Sequence, residues 1–304
     1  MAVINFGSIN IDHVYSVEHF VAPGETLSSS AYKSVLGGKG ANQSIACAKA
    51  GANIKHVGNI HANDHAFLNQ MQDVNVDCNW VCKIDSLATG HAIIQVNNEG
   101  ENAIVLYAGA NHCINKTQID DVLSNADKTD WVLLQNETNA IAEIIESASA
   151  QGLNIAFNPA PMTKEVSTLE LEKVSLLIVN EIEAMQLTST DTIHEASAEL
   201  TKQYPKTKIL LTLGKNGVHF MQDGNTIKVD SYKVKALDTT AAGDTFIGYF
   251  LAQYCILNKQ DANNEVIVTQ ALKTACAAAA LCVTKAGAAP SIPTQQEVAK
   301  FLSI

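Results

Sequence analysis

From residue 117 onward, short apolar runs alternate with longer amphipathic stretches. The runs at 131–135, 154–157, 176–179 and 209–213 are too short for helices and apolar at successive positions, so a strand made from any of them hides both faces. Helical spacing falls at about 117–126, 139–151, 192–203, 243–257, 264–286 and 294–302, and Gly152 closes the second of these. Strands buried on both faces and separated by helices predict an α/β fold: a parallel sheet with helices on both sides. Such a sheet takes its ligand at the carboxyl ends of the strands.

The first third does not alternate in this way. Residues 3–9 and 54–60 read as buried strands, 67–72 as a helix, and the run from Gly37 opens a helix that Gly51 stops. Residues 13–20, 31–36, 92–96 and 103–106 are half-polar strands, with turns at Pro23-Gly24-Glu25 and Asn97-Asn98-Glu99-Gly100. They predict a small separate sheet built from two excursions, 12–35 and 90–107, over the carboxyl edge of a large domain of 1–11, 36–89 and 108–304. Asn10, Asp12, Glu137, Asn158, Asn180 and Asp244 are all expected at strand ends on that edge, a clustering of polar groups that marks an active site.

Totals narrow the partners. The 304 residues are enough for one large core, and a net charge of −11 argues against nucleic-acid or anionic-membrane partners. It leaves a local anion site open. Met1 to Phe6 lacks a basic leader, and no apolar run approaches a membrane span; the longest, 275–283, reads as a buried helix. Seven cysteines without tight pairing predict free thiols in a cytoplasmic protein, and the nine scattered histidines form no zinc motif.

The stretch with the most chemistry is Asp238-Thr239-Thr240-Ala241-Ala242-Gly243-Asp244. It follows a β-prone run, 227–237, and precedes a long apolar run, so it reads as strand, tight turn and helix start. Unpaired N–H groups at a helix start attract an anion, and Ala241, Ala242 and Gly243 let one approach the backbone. Asp244 in the first turn then sits beside that anion. N–H groups to hold a phosphoryl group's charge and a carboxylate to take a hydroxyl's proton suit phosphoryl transfer. The plainer reading is an aspartate that complements the helix dipole.

Other motifs admit two readings each. Gly37-Gly38-Lys39-Gly40-Ala41-Asn42 is either a glycine turn or a loop presenting Lys39 and Asn42 to a polar ligand; it is not a Walker A. Asn180 and Glu183 are either a capping box or the holders of a Mg²⁺ shell and nucleotide phosphates. Residues 212–217 form a turn between strands, and Asn158-Pro159-Ala160-Pro161 a stiff strand-end loop.

Together with Gly7-Ser8-Ile9-Asn10-Ile11-Asp12, Pro23-Gly24-Glu25-Thr26, Gly100-Glu101-Asn102, Ala108-Gly109-Ala110-Asn111 and Gly287-Ala288-Ala289-Pro290-Ser291, these motifs stand in the order of one family. The chain resembles the ribokinase branch of the ribokinase/PfkB sugar kinases nearly end to end. The resemblance implies a parallel-sheet α/β sandwich with a small β-sheet lid, two lids clasping a homodimer, and transfer from ATP to O5 of D-ribose. It implies Asp244 as base, with Ala241, Ala242 and Gly243 as anion hole. Asn10, Asp12, Gly38, Lys39, Asn42 and Glu137 would hold the sugar. Asn180 and Glu183 would serve phosphate and Mg²⁺, while Thr212, Gly214, Gly217, Gly243 and Cys276 would line the nucleotide site. Asp238, Thr240, Cys282, Gly287 and Ser291 match a site for K⁺, a monovalent activator. Cys276 departs from the histidine or asparagine frequent there, and His61-Ala62-Asn63-Asp64 from the usual Gly-Asp-Asp turn. The rivals are a family member acting on 2-deoxyribose, fructose, a nucleoside or a sugar phosphate, and a non-catalytic sugar sensor. Lys39 is the one basic residue of the sugar set, which disfavours a sugar-phosphate substrate.

Overall fold

The computed structural model describes residues 1–257 and 264–303. Among these residues the strands are β1 (Val3–Phe6), β2 (Asn10–Ser16), β3 (Ala31–Gly37), β4 (Ile54–His61), β5 (Asp77–Ile84), β6 (Gly90–Val96), β7 (Asn102–Tyr107), β8 (Trp131–Gln135), β9 (Asn154–Asn158), β10 (Leu176–Asn180), β11 (Lys208–Thr212), β12 (Val218–Gln222) and β13 (Asn225–Val229). The α-helices are α1 (Lys39–Lys49), α2 (Asn69–Gln72), α3 (Lys116–Ser124), α4 (Ile141–Ala150), α5 (Glu181–Thr188), α6 (Ile193–Gln203), α7 (Ala242–Leu257), α8 (Asn264–Cys282) and α9 (Gln295–Leu302).

The larger sheet has nine strands in the order β13-β12-β11-β10-β9-β8-β1-β4-β5. It is parallel from β11 to β5, and β12 and β13 run antiparallel at one edge. The continuous apolar runs have the expected cause. Successive side chains point to opposite faces. Val132 and Leu134 join Ile4, Phe6, Ile155 and Phe157 on one face under α3, α4 and α6. Leu133 joins Val3 and Ala156 on the other, against Phe246 and Phe250 of α7. Each fully hidden Leu or Phe contributes about 1.5–3 kcal/mol, so the interleaved faces fix the register strongly.

The smaller sheet has four strands in the order β3-β2-β6-β7. Leu36 and Ile11 are buried where it meets the large domain, but its outer strands leave apolar side chains uncovered: Val105 is 68% and Leu106 57% exposed. The Asn97 to Gly100 turn joins β6 to β7, and the side-chain carbonyl of Asn97 accepts from Glu99 N–H (3.0 Å) and Glu101 N–H (2.9 Å).

Several expectations need correction. The 3–9 run is not one strand. β1 stops at Phe6, and the chain crosses at Gly7 to start β2 at Asn10, so Asn10 and Asp12 lie on the smaller sheet and not at the end of a central strand. The reason is space: a Cβ on Gly7 would lie 2.6 Å from Gly40 Cα, a close approach that turns the chain out of the large sheet. The β-prone run 227–237 is a strand only to Val229; Asp230 to Leu237 has no regular structure. Asp244 therefore follows an irregular segment and not a strand. β5 was missed because it is an edge strand with a mixed sequence and no apolar run. The 264–286 helix ends at Cys282. The helix over Glu265–Cys282 is long and apolar enough to cross a membrane by length and composition only, and polar residues such as Gln270 and Lys273 interrupt it. In the fold it is a core helix: Val268, Ala271, Leu272, Ala275 and Ala278 are fully buried against α7 and its neighbours.

Candidate active site

The turn before α7 carries a backbone irregularity at the expected place. Ala241 has φ 59°, a left-handed conformation that costs a residue with a side chain about 1 kcal/mol or more. It bends the chain so that α7 starts over the carboxyl edge of the large sheet. Ala242 N–H bonds Thr239 O at 3.2 Å, and the first bond closing on Ala241 O comes from Thr245 N–H at 2.8 Å. The N–H groups of Gly243 and Asp244 precede that bond and stand at the wall of a cavity of about 240 Å³. The N–H of Ala242 is engaged within the turn, whereas those of Gly243 and Asp244 have no backbone partner there.

Asp244 is 8% exposed and held by two amides. Asn42 Nδ2 donates to its Oδ2 (3.1 Å) and Gln43 Nε2 to its Oδ1 (2.9 Å). Both donors come from α1, whose start at the glycine run places them under α7. Asn42 Oδ1 is buried without a protein partner, which leaves an acceptor for a ligand hydroxyl. Lys39 lines the same cavity. Burial alone would lower its ammonium, but Asp244, Glu137 and Glu183 outweigh burial and lift it above an ordinary lysine.

Glu137 follows β8 and accepts from Ser8 Oγ (2.5 Å) and Lys39 N–H (2.9 Å). Burial pushes its carboxyl up, against the pull of Lys39 and Ser8. Asp12, on β2, feels burial and then the charge of Glu137, and is raised to about 6. Gly37, which pairs with Asn10 across β2 and β3, leaves the room this carboxylate needs: a Cβ there would strike Asp12 Oδ2 at 2.0 Å. Asn10 Oδ1 accepts from Asn111 Nδ2 at 2.7 Å. Gly38, at φ 92°, turns the chain from β3 into α1 and brings Lys39 to Glu137. Of the residues expected to hold a sugar, Lys39 and Glu137 are bonded directly, Asn10 bonds Asn111 and Asn42 bonds Asp244.

Asn180 and Glu183 form a reciprocal capping box, each accepting the other's backbone N–H at 2.9 Å. Both residues also line the 240 Å³ cavity, and burial raises the Glu183 carboxyl. A second cavity of about 830 Å³ shares Asn180, Thr212, Ala242 and Gly243 with the first. Gly214, Gly217 and Cys276 line it. Gly217, at φ 91°, packs so closely that a Cβ would meet Val229 O at 2.1 Å.

Residues 2–295 match the family described as pfkB family carbohydrate kinase. A ribokinase of Staphylococcus aureus is 36% identical over 306 residues, covering 97% of this chain and 98% of that protein. A deoxyribokinase of Salmonella typhimurium is 29% identical over 313 residues, covering 100% of this chain and 99% of that one. The structure of Arabidopsis thaliana ribokinase complexed with ribose and ATP superposes with a TM-score of 0.86 at 28% identity, covering 100% of both chains. This chain is a pfkB-family carbohydrate kinase.

In this kinase the Asp238 loop and the Gly287 loop meet. Asp238 Oδ1 accepts from Thr240 N–H (2.9 Å) and Oδ2 from Gly287 N–H (2.8 Å). Ser291 Oγ reaches Ala288 O (2.7 Å) and Cys282 Sγ (3.0 Å), and Cys282 Sγ points at Thr240 O (3.7 Å). Burial works to raise Asp238, and the Thr240 and Gly287 bonds win and hold it low. Among the described residues no cluster of three or more His, Cys, Asp or Glu side chains could hold a metal.

Sequence reasoning missed Ser8, Gln43 and Asn111, which bond the site residues from behind. Gln43 directly follows a motif residue, and Ser8 and Asn111 stand inside motifs of the family order, but none of the three carried a role of its own. It also missed Tyr232, Ala279, Ala280 and Val283, which wall the larger cavity.

Proposed function

We propose that this kinase is a ribokinase: ATP and D-ribose give ADP, D-ribose 5-phosphate and a proton. The observation that carries the reading is Asp244, buried, doubly held, and standing where the polar cavity meets the helix start. In that place its carboxylate takes the proton of the sugar's 5-hydroxyl as the oxygen attacks the terminal phosphorus. The N–H groups of Gly243 and Asp244 face the charge that builds on the phosphoryl oxygens, and Lys39 adds a buried cation. Asn10, Asp12, Asn42 and Glu137 read the sugar hydroxyls. A sugar without the matching hydroxyl would leave buried acceptors unpaired, which is costly.

The donor set suits Mg²⁺ at Glu183, a hard oxygen ligand at the cavity wall with one oxygen engaged in the cap. Bound there with ATP, Mg²⁺ would neutralise phosphate charge. The oxygens of Asp238, Thr240, Ala288 and Ser291 suit K⁺; the Cys282 thiol is a soft donor and would contribute through its carbonyl. The smaller sheet would act as lid and dimer clasp, since Ile104 (50% exposed) and Leu106 (57%) leave an apolar face for a second copy. Sedimentation at micromolar concentration should give a dimer, and a monomer counts against the clasp. The free thiols of all seven cysteines fit a reducing, cytoplasmic setting.

The direct test is phosphoryl transfer across D-ribose, 2-deoxyribose, fructose and nucleosides. Highest kcat/KM with D-ribose supports the reading, and preference for 2-deoxyribose overturns it. ATP turnover that does not depend on any sugar points to the sensor instead.

A further inference from the structure

Behind Asp244 a line of polar side chains runs through the core, although the surroundings are apolar. Gln43, Asn5, Ser44 and His56 are fully buried, and Gln135 is 1% exposed. Most buried polar groups are bonded, and in this set only Gln135 Oε1 lacks a protein partner; a linked set specifies geometry when each bond leaves one choice for the next. Here the polarity can be followed link by link. Gly7 O can only accept, so His56 carries its proton on Nε2 (3.1 Å). Its Nδ1 is then an acceptor, so Ser44 Oγ donates to it (2.8 Å). Burial keeps this ring neutral, pulling its pKa down to about 4. Ser44 Oγ accepts from Asn5 Nδ2 (2.8 Å), which also donates to Gly40 O (2.9 Å). Asn5 must therefore turn Oδ1 toward Gln135, whose Nε2 donates to it (2.9 Å) and to Gln43 Oε1 (2.8 Å). Gln43 is left with its NH₂ end facing Asp244 Oδ1 (2.9 Å) and Asn158 Oδ1 (3.3 Å).

We propose that Gln43 is the positioning residue for Asp244, and that the buried chain from Gly7 to Gln135 fixes its amide so that a donor, never an acceptor, meets the carboxylate. This rests on the reading of Asp244 as the base. The physical need is specific. A free carboxylate beside the Lys39 ammonium would turn toward it, and a base pulled off line loses rate steeply, since a displacement of 1 Å costs on the order of 10²-fold. Gln43 and Asn42 hold one oxygen each, and every carboxylate oxygen keeps a second lone pair for the substrate proton. Gln43 touches no reacting atom in this scheme; it acts through Asp244.

The test is a double-mutant cycle with a kinetic split. Gln43→Met keeps the volume but neither donates nor accepts. Gln43→Glu keeps the acceptor for Gln135 and sets a carboxylate against Asp244. Each should lower kcat by roughly 10–100-fold while KM for sugar and ATP stays within about threefold. In an Asp244→Asn background the same changes should cost at most about twofold more, because the group they position is gone. Wild-type kcat in either folded variant, or an undiminished loss in the Asp244→Asn background, overturns the proposal. The two variants disturb packing differently, so if one does not melt cooperatively the other still decides. If Asp244→Asn alone keeps its rate, the base reading fails first, and the result is distinguishable from a failure of Gln43.

Discussion

The cavity on the Asp244 side of the 241–243 turn and the larger cavity beyond it share Asn180, Thr212, Thr239, Ala242 and Gly243 but differ in the rest of their walls. The first, about 240 Å³, gathers Lys39, Glu183 and Asp244 around the start of α7. The second, about 830 Å³, is walled by Phe246, Cys276, Ala279, Ala280 and Val283. A transferring phosphoryl group is read by fixed charges and dipoles; the flat faces of an aromatic base are covered best by apolar surface. Changes in the first cavity should therefore act on rate, and changes in the second on affinity. That division can be broken experimentally.

The largest effect is expected at Asp244. Asp244→Asn keeps the shape and both amide neighbours in reach but removes the base. It should lower kcat by roughly 10²–10⁴-fold, about 3–5 kcal/mol, with KM for both substrates nearly unchanged. Steady-state kinetics check it. A variant with most of the wild-type kcat would mean that the charged cavity binds and does not catalyse.

The same contrast explains what could be read from the sequence. The charged cavity was legible because its groups come from short motifs: a small-residue turn before Asp244, a glycine run before Lys39 and Asn42, a cap at Asn180 and Glu183. Each motif has a local physical cause. The apolar cavity was nearly illegible. Ala279, Ala280 and Val283 look like any core helix, and Tyr232 stands in a stretch that reads as a strand but has no regular structure. Only packing of α8 against that stretch makes a wall of them. The large sheet was legible wherever both faces are buried, and lost at β5, where an edge removes the apolar signal. Asp12 was expected at the start of the small-sheet excursion, but Asn10 was assigned to the large domain, because the crossing at Gly7 brings the chain against Gly40, far away in sequence.

Asp12 tests the boundary of the charged region, since it reaches the site from the smaller sheet. Asp12→Ala should raise KM for ribose roughly ten- to a hundred-fold, the worth of a hydrogen bond to a charged acceptor at about 1.5–3 kcal/mol, with little change in KM for ATP. The pH dependence has a definite sign. Burial and then Glu137 raise Asp12 from 3.8 to about 6. In the free enzyme the accepting carboxylate is lost as pH falls through about 6, so ribose KM should climb there. Stability runs the other way. A raised folded pKa contributes stability that is full below the unfolded pKa near 3.8 and is lost as pH rises through about 6. Asp12→Asn should therefore melt above wild type at about pH 7.5 and not at about pH 4. A ribose KM flat through this range would remove Asp12 from the sugar set.

The monovalent ion comes next in size. It would tie the Asp238 loop to the Gly287 loop without touching substrate, so its effect is on the aim of the Gly243 and Asp244 N–H groups. Deleting an anion-hole donor outright costs about 10²–10³-fold; loosening the turn should cost less, roughly tenfold in kcat. KCl titrated into Tris or tetramethylammonium buffer at constant ionic strength, with Mg²⁺ saturating, measures it. Equal rates with K⁺ and inert salt would leave Asp238 as a turn cap through its 2.9 Å bond to Thr240 N–H.

The smallest effect is expected at Cys276, and it is the sharpest check on the contrast. The thiol is 7% exposed, and burial pushes it up to about 12, so it meets a ligand as a neutral, weakly polar surface. Its neighbours in the cavity include Ala279, Ala280 and Val283, which offer no side-chain hydrogen bond. A base held here gains packing from this wall, and packing is the same in the ground state and the transition state. Interactions of that kind change KM and leave kcat alone. Cys276→Ala removes about one heavy atom of contact, near 1 kcal/mol on the scale of a buried methylene. KM for ATP should rise about fivefold or less, with kcat and KM for ribose unchanged. GTP should be affected to the same extent, because an apolar wall does not distinguish donor from acceptor on the base edge. Parallel kinetics with the two nucleotides decide the matter. A fall in kcat of tenfold would show that the far wall sets the phosphoryl geometry, and a loss confined to ATP would show that Cys276 reads the adenine edge; either result would join two cavities that their chemistry keeps apart.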